Sequence, residues 1–182
     1  TKLKKKITFN KFDLKNSKNV KNYFKNKIFD VIIHLAAYSG VEEFKKKTKL
    51  KIKNNVLSTK NIINFGLNNG KTKFIFASSA AVYGASGNKK VKESKKCRPL
   101  NNYGISKYKC EKLIIKKLKT KNICFAILRY FNIVGSVLNF DINKRTSSVF
   151  DIISKKIKDR NYKFNINGKY LFTSDGTPER DY

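Results

Sequence analysis

Short apolar runs along this chain alternate with longer stretches in which apolar residues recur every three or four positions. Residues 30–36 form a continuous apolar run, which is typical of a strand buried in a parallel sheet, and residues 73–78 repeat the pattern. Residues 7–14 and 123–130 are also predicted as strands. Because parallel strands need long connections, the stretches between these runs are predicted as helices.

The helix boundaries follow from capping residues. A first helix is predicted with Ser17 as its N-cap, a second over residues 42–67 with Gly70 just past its end, and a third after Asn102. A further helix is expected to begin at Ser147 or Ser148. Strand–helix alternation predicts an α/β fold with a Rossmann-like, doubly wound parallel sheet that is incomplete in this chain.

The charge balance is extreme, with 42 Lys and Arg against 12 Asp and Glu and a formal net charge of +30. Such a balance is typical of nucleic-acid binding when the charges cluster on one surface. Here lysines are spread over predicted strands, helices and loops alike, so we attribute them to compositional drift and expect no nucleic-acid partner. A basic nucleic-acid-binding module remains the alternative from another function class. The sequence contains no run of about 18 apolar residues, so we predict no membrane span.

The cysteines and the one histidine favour structural roles. Cys97, Cys110 and Cys124 are odd in number and lack a CxxC spacing, so we expect neither a disulfide framework nor a zinc site and expect a reducing cytoplasm. His34 lies within a buried strand and is predicted to have a satisfied ring with a structural role.

The candidate chemistry centres on Tyr103 and Lys107. Their spacing of four residues places both side chains on one face of the third predicted helix. A phenol titrates near pH 10, and a nearby ammonium lowers that pKa, so the pair could exchange a proton with an alcohol. Ser79 ends the predicted strand over residues 73–78, and ligands in open parallel sheets bind outside the carboxyl ends of the strands.

These motifs resemble those of a known family. The blocks at residues 31–39, 54–56, 78–84, 103–107 and 129–132 occur in the order seen in extended short-chain dehydrogenase/reductases of the NAD-dependent epimerase/dehydratase type. The ending Ser-Asp-Gly-Thr-Pro-Glu-Arg-Asp-Tyr is similar to a block of UDP-glucose 4-epimerases. The resemblance covers nearly the whole chain.

The resemblance implies roles for individual residues. Tyr103 would be the base and acid at the sugar 4-hydroxyl, Lys107 would lower its pKa and hold the nicotinamide ribose, and Ser79 would hydrogen-bond the same hydroxyl. The implied NAD-binding residues are Asp13, Leu14, Leu35, Ala36, Ala37, Tyr38, Ser39, Asn55, Ser79, Tyr103, Lys107 and Phe131. The implied substrate-binding residues are Ser79, Tyr103, Asn132, Ser148, Val149 and Arg180, with Asn132 and Arg180 at the UDP diphosphate.

The implied activity is NAD-dependent 4-epimerisation of UDP-glucose and UDP-galactose through a 4-keto intermediate. Residues 1–132 would form a partial NAD-binding domain and residues 133–182 the start of a UDP-sugar-binding region. The resemblance also implies a homodimer in the full-length protein. The related 4,6-dehydratases carry a carboxylate after the strand, which Ser79-Ala80-Ala81 lacks, so dehydration is disfavoured.

Some departures from the family pattern leave alternatives open. The glycine fingerprint that cradles the dinucleotide pyrophosphate is absent, so we expect this chain alone to bind NAD poorly and the glycine-rich unit to precede Thr1. The chain contains no methionine, which also suggests a fragment. A UDP-pentose or UDP-N-acetylhexosamine substrate stays possible. Ser148, Asp151 and Phe172 depart from the family pattern, so an inactive, decaying gene product is a further alternative.

Overall fold

A computed structural model describes residues 8–39, 42–67, 70–87, 90–133 and 173 of this chain. Within these residues, three α-helices and three β-strands alternate, with two short 3₁₀ elements between them. In chain order they are α1 (Ser17–Phe24), β1 (Val31–His34), a short 3₁₀ helix (Glu42–Lys45), α2 (Thr48–Gly66), β2 (Lys73–Ser79), a 3₁₀ turn (Ala80–Val82), α3 (Asn102–Thr120) and β3 (Phe125–Tyr130).

The three strands form one parallel sheet in the order β1-β2-β3. β1 ends at His34, level with Phe76, whereas β2 runs three residues further to Ser79, which pairs with Tyr130. The carboxyl ends of all three strands therefore meet at one edge of the sheet. The predicted Rossmann-like parallel sheet is confirmed.

One face of the sheet and the three helices enclose the hydrophobic core. Phe74 and Phe76 of β2 are fully buried against Val20 of α1, Ile63 of α2 and Ile114 of α3. The described helices thus lie on the same side of the sheet.

The opposite side, here called the open sheet face, carries the alternate residues of each strand. Val31, Ile33 and Leu128 on this face are exposed large apolar side chains, as is Leu35 just beyond β1.

Residues 8–14 do not form the predicted strand. Phe9 is 84% exposed, so its side chain does not pack on the sheet. The segment is instead held at its end by α2, where Asn61 Nδ2 donates to the carbonyl oxygens of Leu14 (2.9 Å) and Lys15 (3.1 Å). The local sequence predicted a strand here, but a strand also needs a neighbour for its ladder of hydrogen bonds.

The predicted helix over residues 42–67 is interrupted. Lys47 adopts a left-handed backbone conformation with φ of 52° and separates the short 3₁₀ helix from α2. The N-caps of α1 and α3 are Asn16 and Asn101, one residue before the predicted helix starts, since their side chains accept from Asn19 N (3.1 Å) and Gly104 N (2.8 Å).

The chain divides into two compact units, Thr1–Tyr130 and Phe131–Tyr182. All of the elements above belong to the first unit. The helix predicted to begin at Ser147 or Ser148 lies outside the described residues, and the assignment of the units to cofactor and substrate stays a prediction. Within the described ranges, no helix has the length and apolar character needed to cross a bilayer.

His34 is a buried, uncharged member of this core. Its Nε2 lies 3.1 Å from Thr59 Oγ1, and Thr59 Oγ1 in turn donates to the Asn55 carbonyl oxygen at 2.9 Å. Because the Thr59 hydrogen is used there, His34 Nε2 acts as the donor. Burial first, and the positive charge of Lys107 second, lower the pKa of His34 to about 4.

We predict that His34 makes folding less stable in mild acid. At pH values between the ordinary pKa of histidine and about 4, His34 is protonated in the unfolded chain but neutral in the folded chain. The free energy of unfolding should therefore fall on the order of 2 kcal/mol between about pH 7 and about pH 5. Urea unfolding at both pH values measures it. His34→Gln, which keeps a donor for Thr59 but does not titrate, should abolish most of this fall; an equal fall in both proteins would refute the assignment.

Candidate active site

The carboxyl ends of β1 and β2 bring most of the predicted site residues together. Residues 35–39 follow β1 directly, and Ser79 is the last residue of β2. Leu35, Ala36, Tyr38 and Ser39 are exposed. This edge is where open parallel sheets bind ligands.

The start of α3 is pressed against the turn that follows β2. A Cβ built on Gly104 would stand 2.4 Å from the Ala81 carbonyl oxygen, so only glycine permits this approach. The neighbouring residue Tyr103 is thereby held beside Ser79. At the start of the connection, Gly84 has a φ of +73° and would place a Cβ 2.0 Å from the Arg98 carbonyl oxygen, which closes the loop that leads into α3.

Tyr103 and Ser79 form the centre of the site. A side-chain hydrogen bond with Ser79 lowers the pKa of Tyr103. Ser79 Oγ also accepts from Ala81 N at 3.2 Å and so caps the 3₁₀ turn that follows β2. The Tyr103 ring is packed at 6.0 Å, centroid to centroid, from Phe44 of the short 3₁₀ helix. The structure therefore brings together two of the three predicted catalytic side chains.

Lys107 lies one helical turn further along α3 and is only 3% exposed. Its Nζ donates to the Ala77 carbonyl oxygen at 2.7 Å and stands 5.0 Å from the centroid of the Phe76 ring. Burial lowers the pKa of Lys107. The ammonium is thus held near the end of β2, at a carbonyl two residues before Ser79.

The expected effect of Lys107 on Tyr103 is not found in this structure. Burial raises the pKa of Tyr103, and the hydrogen bond with Ser79 opposes that rise only in part. Lys107 Nζ is 6.0 Å from the Tyr103 ring centroid, with one hydrogen directed at Ala77. The spacing correctly placed both residues on one helix face, but it could not show that a backbone carbonyl holds the ammonium.

Asn55 is occupied by the protein itself. Its Oδ1 accepts from Tyr38 N at 2.9 Å, and its Nδ2 donates to Tyr38 O at 3.1 Å and to Ser106 Oγ at 2.9 Å. Asn55 and Ser106 are both buried. The amide therefore fixes the backbone after β1 and links it to α3. The predicted role of Asn55 in NAD binding stays a prediction.

Asp13 and Leu14 lie in a turn, contrary to the predicted strand end. Asp13 Oδ1 accepts from Lys15 N at 2.9 Å, and this hydrogen bond is the main cause that lowers the pKa of the exposed Asp13 carboxyl. The Leu14 side chain packs against the hydrophobic core. Their predicted role at adenine stays a prediction.

The remaining predicted residues lie at or beyond the end of the first unit. Phe131 and Asn132 directly follow β3 in sequence, and Phe131 is exposed. Ser148, Val149 and Arg180 lie outside the described residues. Their roles stay predictions.

Sequence reasoning missed an ion pair beneath the site in which the carboxylate is buried and the guanidinium is partly exposed. Glu111 of α3 accepts from Ser78 Oγ at 2.5 Å and is paired with Arg129 of β3, whose Nη2 stands 2.8 Å from Glu111 Oε2. Two signals could have revealed it. Glu111 is the only acidic residue of α3 and follows Lys107 by four residues, and Arg129 interrupts an otherwise apolar strand.

Comparisons with known proteins agree with this geometry. UDP-glucose 4-epimerase from Lactobacillus helveticus is 31% identical over 181 residues, which are 97% of this chain and 54% of that protein. A crystal structure of a UDP-glucose 4-epimerase superposes with a TM-score of 0.80 at 27% identity, covering 96% of this chain and 54% of that one. The UDP-Glc/GlcNAc 4-epimerase of Campylobacter jejuni gives a TM-score of 0.68 at 32% identity, covering 91% of this chain and 52% of that one.

This chain spans about half the length of the relatives that it matches. The family model described as "NAD dependent epimerase/dehydratase family" matches residues 1–182, from the first residue to the last. With the tyrosine, lysine and serine at the carboxyl edge of a parallel sheet, this match shows that the chain belongs to the NAD-dependent epimerase/dehydratase family.

Proposed function

We propose that this chain forms part of a UDP-glucose 4-epimerase that interconverts UDP-glucose and UDP-galactose with NAD as its cofactor. The observation that carries the proposal is the hydrogen-bonded Tyr103–Ser79 pair at the end of β2, with Lys107 buried one turn along α3. The relatives named above, all of them 4-epimerases of UDP-sugars, support it. The three free cysteines, Cys97, Cys110 and Cys124, accord with a reducing cytoplasm as its location.

The residues at the carboxyl edge of the sheet fit a nicotinamide cofactor. Residues 35–39 are mostly exposed at this edge. Asn55 fixes their backbone through two hydrogen bonds to Tyr38. The Ala77 carbonyl takes one of the three ammonium hydrogens of Lys107, which leaves donors for ribose hydroxyls. When bound, NAD would supply the reversible oxidation at the sugar C4. Pyrophosphate binding would need the glycine fingerprint that this sequence lacks.

Tyr103 would move the proton of the sugar 4-hydroxyl. As described, its raised pKa keeps the phenol protonated at neutral pH, so Tyr103 is poised as the acid. To act as the base it needs additional positive charge near its oxygen, and the Lys107 ammonium lies close enough to supply it by leaving Ala77. Ser79 would hold the same sugar hydroxyl in line with the phenol.

The second candidate substrate is a UDP-N-acetylhexosamine or a UDP-pentose. The similar Campylobacter jejuni enzyme is a UDP-Glc/GlcNAc 4-epimerase, which makes a UDP-N-acetylhexosamine a candidate substrate here as well. Asn132 and Arg180 would bind the UDP diphosphate, Arg180 through charge-assisted hydrogen bonds, and Ser148 and Val149 would contact the substrate.

We also propose that the full-length protein is a homodimer that pairs α2 and α3 of each copy. These helices pack against each other and leave Leu50 (51% exposed) and Ile115 (37% exposed) on their outer side. A groove of about 410 Å³ on them is lined by Ile52, Val56, Leu57, Lys49, Lys53, Lys60 and Lys109. Apolar contact would drive the association, and the lysines at its border would oppose it.

Replacing Tyr103 by Phe should abolish epimerisation while leaving the fold intact. We expect kcat for UDP-galactose to fall roughly 100-fold or more, with little change in KM, because the phenol oxygen carries the proton. A coupled assay of UDP-glucose formation measures it in the full-length protein. Tyr108→Phe, on the same helix but away from Ser79, is the matched control. Undiminished turnover in Tyr103→Phe would end the proposal.

Raising the ionic strength should strengthen the proposed dimer. The lysines around the groove repel their symmetry mates, and salt screens that repulsion while the apolar contact remains. Sedimentation equilibrium at low and high salt measures the dissociation constant. Ile115→Lys should weaken the dimer, whereas Ile28→Lys, at an exposed apolar position outside these helices, should not. A dimer that weakens with salt would point to a different, ion-paired interface.

A further inference from the structure

α3 carries a third side chain on the face that holds Tyr103 and Lys107. Glu111 follows Lys107 by another four residues and therefore lies on the same face. The proposed chemistry uses the first two side chains and leaves the third without a role. Yet Glu111 is 1% exposed and accepts from Ser78 Oγ at 2.5 Å. Three successive turns of α3 thus contact Ala77, Ser78 and Ser79, the last three residues of β2.

Arg129 completes this arrangement from the neighbouring strand. Its Nε and Nη2 donate to the two carboxylate oxygens of Glu111 at 3.1 and 2.8 Å, which makes the pair two-pronged. Its Nη1 donates to the Glu93 carbonyl oxygen at 3.2 Å, and its guanidinium carbon stands 4.8 Å from the centroid of the Tyr83 ring. Arg129 therefore joins β3 both to α3 and to the connection that leads into α3.

An ion pair whose carboxylate is buried is a poor device for stability alone. Glu111 loses its hydration and the partly exposed Arg129 loses part of its own, and well-packed apolar side chains of similar size often leave a protein equally stable or more so. The two-pronged pair adds direction, because its parallel hydrogen bonds are satisfied at only one placement of the helix along the strand. Apolar side chains would tolerate a small slide of α3 over β2.

We propose that Glu111 and Arg129 are positioning residues that fix α3 along β2, so that the Tyr103 hydroxyl meets Ser79. Neither residue touches the reacting groups; both act through the helix that carries Tyr103. The part of the test that reads turnover rests on the proposed epimerase function. The part that reads the state of Tyr103 does not.

The decisive variant is the apolar double replacement Glu111→Leu with Arg129→Met. We expect it to unfold at the same or a higher urea concentration than the parent protein. We also expect kcat to fall about tenfold or more with KM nearly unchanged, since small misplacement of a catalytic group is costly to rate. The pKa of Tyr103, followed by ¹³C NMR of labelled tyrosine in cofactor-free protein, should differ from that of the parent protein, because the burial that raises it and the Ser79 hydrogen bond that lowers it both depend on where α3 lies. Lys112→Leu, next to Glu111 but exposed, is the control.

Other outcomes separate the possibilities. A folded double variant with the parent's kcat and the parent's Tyr103 titration overturns the proposal and leaves the pair a structural one. If the double variant does not fold, Glu111→Gln decides, since it keeps a partner for Ser78 but weakens the fork; an unchanged Tyr103 titration there also overturns the proposal. A parent protein without epimerase activity refutes the proposed function, while the Tyr103 titration still tests the positioning.

Discussion

The structure depends on one packing contact, that of α3 on the carboxyl-terminal half of β2. Gly104 lets the helix start within touching distance of the Ala81 carbonyl, and Asn101 caps it there. Beyond that fixed start, side chains four residues apart on α3 interact with the last three residues of β2. The candidate site lies where the N-terminus of α3 contacts the carboxyl end of β2. Its chemistry and the stability of its frame are therefore properties of the same interface.

Buried polar groups maintain this frame, and each has its partners in the described part of the chain. The Asn55 amide ties the segment after β1 to α3 through Ser106, and Thr59 connects α2 with the neutral ring of His34. Within these ranges no buried side-chain nitrogen or oxygen lacks a hydrogen bond. Because unpaired polar groups in a low-dielectric interior are costly, such connections specify one arrangement of the elements more sharply than apolar packing does.

The sequence was most informative where burial and periodicity agree. The apolar runs at β1, β2 and β3 and the spacing of Tyr103 and Lys107 were sufficient to predict the parallel sheet, the alternation of strands and helices along the chain and the shared face of α3. Residues 8–14 show the limit of the local sequence, since a strand also depends on a neighbour that the local pattern does not encode. The break at Lys47 could not be predicted because a left-handed lysine carries no compositional signal. The direction of the Lys107 ammonium was equally hidden, since a backbone carbonyl offers a partner at every residue.

The open sheet face bears on how this chain behaves in solution. Parallel sheets are normally covered on both sides, because their strands are apolar throughout. Among the described residues no helix packs on this face, and Val31, Ile33 and Leu128 present an apolar surface there. Surfaces of this kind adhere to one another and to apolar dyes, independently of any specific interface. Preparations of the isolated chain therefore call for low concentration and mild amphiphiles, and a dye-binding signal from them reports this surface rather than a loosened core.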